Sequence, residues 1–151
     1  MDITASNLST ESIHAFVEEE EQRKAEGQRK HEAAAKAERE KLHETFMKDD
    51  VPGDAMGRVA LMVRKAVEMG DKQVLLFQFP SDWLPDQGRA ITNHAADWPE
   101  HLDGFAKRAY AYFKRELEPR GFQLRAEIMD WPGGMPGEVG FFLRWKRPEE
   151  M

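Results

Sequence analysis

Between Leu102 and Leu117 apolar residues return every three or four positions. Leu102, Phe105, Ala106, Ala109, Phe113 and Leu117 fall on one helical face, and Lys107, Arg108, Lys114, Arg115 and Glu118 fall mainly on the other. The stretch before this face has the features of a capped first turn. Asp97 offers a carboxylate to free N–H groups, Glu100 follows three residues later, and Pro99 sits where a missing donor is harmless. Pro119 and Gly121 end the helix. The period then changes from about 3.6 to about 2. Phe122, Leu124, Ala126 and Ile128 alternate with Gln123, Arg125 and Glu127, which predicts a strand. Helix and strand each carry one apolar face, so they predict the seed of a core.

The same reading places a helix over Ala55–Met69, with Met56, Val59, Met62, Val63, Ala66 and Val67 facing inward and Gly70 as the stop. Gln73–Phe79 (QVLLFQF) predicts a first strand, whose Val74–Phe77 run is apolar on both faces and implies burial on both sides. A short helix is expected over Gly88–Ala95, and a third strand over Val139–Lys146, where Val139, Phe141, Leu143 and Trp145 alternate. The fold class is therefore α+β. A long N-terminal helix precedes a compact α-β-α-α-β-β domain with a mixed three-stranded sheet and helices on one face. A helical crossover makes the first two strands parallel, and the last two are expected to be antiparallel neighbours. In the order 1-3-2 the most apolar strand lies at an edge. It then needs cover from the Ala55 helix or from a second chain, unless it is central instead.

Ahead of this domain, Ser9 or Thr10 caps a helix predicted to run to about Lys48. Ile13, Phe16 and Val17 form an apolar patch near its start, and Leu42, Phe46 and Met47 form another near its end. The middle is rich in Ala, Glu, Lys, Arg and Gln, with opposite charges four apart at Glu20–Lys24, Glu26–Lys30 and Glu32–Lys36. No heptad of large apolar residues persists, which argues against a strong coiled coil. Asp49–Gly53 (DDVPG) punctuates the chain, so we expect a helical arm and linker over 1–53, a compact domain over 54–147 and a polar, frayed tail over 148–151.

Charge sharpens this division. The formal net charge is −6, and residues 1–53 hold 8 Lys+Arg against 13 Asp+Glu. A net acidic chain has no general attraction for nucleic acid or anionic membrane. The chain contains no cysteine, which excludes disulfides, thiolate metal sites and a Cys nucleophile and fits a reducing compartment. MDITASNLSTES has neither a basic start nor an apolar run, so no signal peptide is expected. No apolar run approaches the roughly 20 residues that span a bilayer. A cytoplasmic protein without membrane attachment is the expectation.

Chemistry is sparse. Asp82 and Asp86 follow the first strand, with Arg89 and Asn93 just beyond, and these four are the candidates for a small polar ligand site. Turn and cap chemistry accounts for the same residues. His94, Asp97, Glu100 and His101 form a His/carboxylate cluster without an established metal spacing, so no metal or other cofactor is expected. No Ser-His-Asp pattern or phosphate loop assigns a catalytic residue. The βααββ order resembles that of K-homology RNA-binding domains. However, NHAADWPEH lacks the GxxG loop that such domains need, which leaves nucleic acid a weak candidate partner. Trp131 and Met135 flank and occupy a Gly/Pro loop and, with Ile13, Phe16 and Val17, are the candidate interaction residues. The leading expectation is a non-enzymatic protein-interaction or self-associating module. The alternative is a small enzyme or ligand-binding domain using the polar residues after the first strand.

Overall fold

The computed structural model describes residues 2–147 and Glu149, so the expected frayed tail lies mostly outside the described residues. The chain divides into two units, one ending at Glu44 and the other beginning at Thr45.

Most of the first unit belongs to α1, Thr10–Lys48. Ser9 supplies the cap. Its Oγ accepts from the Ser12 N–H at 3.1 Å, and the Ser9 N–H donates back to Ser12 Oγ at 3.0 Å. Phe46 is the one buried residue of this 39-residue helix, and it belongs to the second unit.

The second unit holds α2 (Ala55–Glu68), β1 (Gln73–Pro80), α3 (Arg89–Thr92), α4 (Gly104–Tyr112), β2 (Gln123–Ile128) and β3 (Glu138–Arg144). Together with α1 this is an α+β fold. The strand order is β1-β3-β2 and both pairings are antiparallel. The expected mixed sheet is thus corrected to an antiparallel one. β1 and β2 do run in the same direction, but β3 lies between them, and no two hydrogen-bonded neighbours are parallel.

The apolar run in β1 is half-buried on both faces, and it contains an irregularity. The register shifts between Leu75 and Phe77, an irregularity that lets two adjacent residues face one side. Val74 and Leu76 pack with Phe113, Leu117 and Leu143, whereas Phe77 packs with Phe79 and Phe141. Leu75 pairs with Phe142 on the opposite face. There its Cδ1 would lie 3.1 Å, and Met129 Sδ 2.5 Å, from a Cβ placed on Gly140, so a larger residue would displace the Met129 side chain.

One sheet face is covered by helices. Val139, Phe141 and Leu143 alternate along β3 and are fully buried, as expected for the central strand. Phe46 packs against Phe79 and Trp83, each with ring centroids at 5.0 Å. Trp98 meets Tyr110 and Phe141 at 5.6 and 5.8 Å. Arg108 ties the end of α1 to α4 by donating to the backbone oxygens of Met47 and Asp49.

The helix cap differs from expectation. Trp98–His101 forms a separate 3-10 turn, and α4 starts at Gly104 with the Asp103 carboxylate accepting from the Gly104 N–H at 2.8 Å. Asp97 makes no cap bond. Beyond Tyr112 the helix widens into a π turn, Phe113–Leu117, and then tightens into a 3-10 turn, Glu118–Arg120, that stops at Gly121 with φ 96°. The π turn keeps Phe113 and Leu117 on the buried side, at 5% and 2% exposure.

Candidate functional site

The four polar residues after β1 have separate surroundings. Asp82 is exposed in the turn Ser81–Trp83. Asp86 accepts from the Gly88 N–H through Oδ1 and the Ala90 N–H through Oδ2, both at 2.9 Å. It therefore anchors the start of α3, and its Oδ2 also lies 3.7 Å from His101 Nδ1. Arg89 and Asn93 are exposed, at the first residue and the C-cap of α3.

Asp82 lines an open cleft of about 330 Å³ together with Asp130, Glu138 and three prolines. The sequence reading did not single out Asp130 and Glu138; they lie far from Asp82 in the chain and meet it because β1 and β3 pair. Asp130 fixes the loop between β2 and β3. Its Oδ1 accepts from the Glu138 N–H at 2.7 Å and its backbone oxygen accepts from the Gly137 N–H at 3.0 Å. Ser81, the buried polar residue here, donates to the Pro136 oxygen at 3.0 Å. Glu138 Oε2 is buried without a hydrogen-bond partner among the described residues. Burial first, and then the negative charges of Asp130 and Asp82, push the Glu138 carboxyl above its ordinary range. A carboxyl so placed holds its proton more tightly than a solvated glutamate.

The His/carboxylate cluster does not close into a ligand shell. His101 Nε2 lies 3.2 Å from Asp97 Oδ2, while His94, with φ 51°, lines a separate space with Ile91, Trp98 and Arg125. Among the described residues no group of three or more His, Cys, Asp and Glu is arranged to hold a metal ion.

The apolar interaction candidates fall in two places. On α1, Ile13 is 38% and Val17 45% exposed, and Phe16 is half-buried. In the β2–β3 loop, Trp131 and Met135 are 52% and 65% exposed. Trp83 and Trp98 instead join the core of the second unit. No described helix is long and apolar enough to cross a membrane.

Comparison with protein-family models, with curated proteins and with solved structures finds no match.

Proposed function

We propose that the chain is a self-associating protein-interaction module in which α1 of one copy lies antiparallel along α1 of a second copy. The observation that carries this reading is a helix 39 residues long in which no residue before Phe46 is buried. Helices of globular proteins take most of their stability from packing an apolar face, and the exposed Ile13 and Val17 offer one. Charge favours a second copy as the occupant. Residues 11–21 hold five glutamates and no Lys or Arg, whereas residues 22–41 hold seven Lys+Arg against four Glu. Antiparallel pairing lays the acidic segment of each helix beside the cationic segment of the other, and a twofold dimer is the commonest symmetric solution. The large apolar residues are few, so the pairing is salt-sensitive. The proposed setting is the cytoplasm, where a chain without cysteine folds without oxidation.

The test reverses charge on one side. Replacing Glu18, Glu19 and Glu20 with Lys should abolish self-association, measured as mass by light scattering at low salt. Adding to this variant a partner chain in which Arg29, Lys30 and Lys36 become Glu should restore a mixed dimer. If the triple-Lys variant dimerises as well as the parent, the antiparallel pairing is wrong.

A further inference from the structure

Between α2, α4 and the sheet lies a cavity of about 190 Å³ whose lining is almost entirely apolar. Its deepest lining residues belong to the core: Phe141 is 0%, Leu117 2% and Phe113 5% exposed. Its outer lining includes Val51, Pro52, Met62 and Arg58. The space opens to solvent along its outer side, and its volume is of the order of the roughly 150 Å³ that takes up benzene.

Three features set this space apart from loose packing. The π turn Phe113–Leu117 forms part of its wall, and such single wide turns recur at functional sites. The outer segment is held in place, because Arg108 Nη2 donates to the Met47 oxygen at 2.6 Å and its Nε to the Asp49 oxygen. Finally, Arg58 is the one charged residue among the described residues lining the cavity. Its Nε lies 3.0 Å from Asp54 Oδ2, in a pair whose side chains are 65% and 66% exposed. Exposed ion pairs of this kind are weak, so the guanidinium is free to exchange Asp54 for another carboxylate.

We propose that this cavity binds a small amphipathic monocarboxylate. The apolar body, of roughly six to eight carbons on the benzene scale, fills the space against Phe113, Leu117 and Phe141, and the carboxylate pairs with Arg58 at the rim. The inference rests on the second unit alone and is independent of α1 pairing.

The full chain is titrated with octanoate, and with octan-1-ol as the neutral probe, following methyl resonances of Val59, Met62 and Leu76 by NMR. Octanoate should saturate and shift these methyls. Arg58→Gln should weaken octanoate about two- to fivefold, the scale of losing an exposed ion pair, and leave octan-1-ol unchanged. Ala109→Phe, which adds a ring to the lining, should remove binding of both probes. Met62→Trp, at a residue 36% exposed on the outer lining, should weaken both if the first variant proves misfolded. Absence of saturable octanoate shifts would overturn the proposal. So would octanoate binding that is indifferent to Arg58→Gln, or binding of either probe that survives a folded Ala109→Phe.

Discussion

Glu138 shows how a single side chain sets a pH dependence. Burial and the neighbouring Asp130 and Asp82 raise its pKa in the folded chain, so the fold binds this proton more tightly than the unfolded chain does. Glu138 thus destabilises the fold while charged, and the penalty disappears as pH falls through the raised pKa. Glu138→Gln should therefore raise the melting temperature at pH 7. The gain should shrink on acidification and vanish below the ordinary glutamate range; a gain that is constant with pH would refute the electrostatic cause. Gly104 presents a steric case. It has φ 57°, and a Cβ there would lie 3.0 Å from both Met47 Cα and Phe46 Cδ1. Gly104→Ala should cost about 1–3 kcal/mol in denaturant unfolding, the usual range for overpacking and strained backbone. Phe113→Ala should cost roughly 3–5 kcal/mol. Lys114→Ala should stay within about 0.5 kcal/mol, because Lys114 is an exposed residue paired with Glu118.

At the scale of elements, the helices and strands were legible because their apolar periods are strong. Leu124, Ala126 and Ile128 face inward as their alternation requires, and α1 and α2 lie close to their expected bounds. The interruptions were harder to read. A bulge adds a residue without changing residue types, so the Val74–Phe77 run gives no sign of where β1 shifts register. A π turn changes which residues share a face without changing residue types, so Phe113–Leu117 read as ordinary helix. The position of the cap is ambiguous in sequence because Asp97 and Asp103 are both competent acceptors, and a 3-10 turn over Trp98–His101 separates them. Phe46 lies before the DDVPG break, yet it packs against Phe79, Trp83 and Phe105. A chain beginning at Asp54 should therefore be less stable than one beginning at Lys41 by roughly the 3–5 kcal/mol of a deleted buried Phe. Equal urea midpoints for the two chains would show that Phe46 contributes nothing.

At the scale of the molecule, the sequence shows two kinds of segment: a charged helix with few apolar residues, and a domain rich in apolar residues. Of the candidate site, Asp82 could be read from its position after a strand, but its neighbours Asp130 and Glu138 come from the other end of the domain. Their convergence depends on β1 pairing with β3, which no local pattern reveals. The apolar cavity was equally hidden, since residues that line a void have the same types as residues that fill one. The proposed α1 pairing matches the divided charge of this helix with that of a second copy. The most direct measurement is mass by light scattering across a dilution series at low salt, for the full chain and for a chain beginning at Lys41. The proposed pairing predicts a full-length dimer that dissociates on dilution and on addition of salt, and a shortened chain that is monomeric throughout. A full-length chain that remains a monomer of 17.4 kDa at every concentration would contradict it.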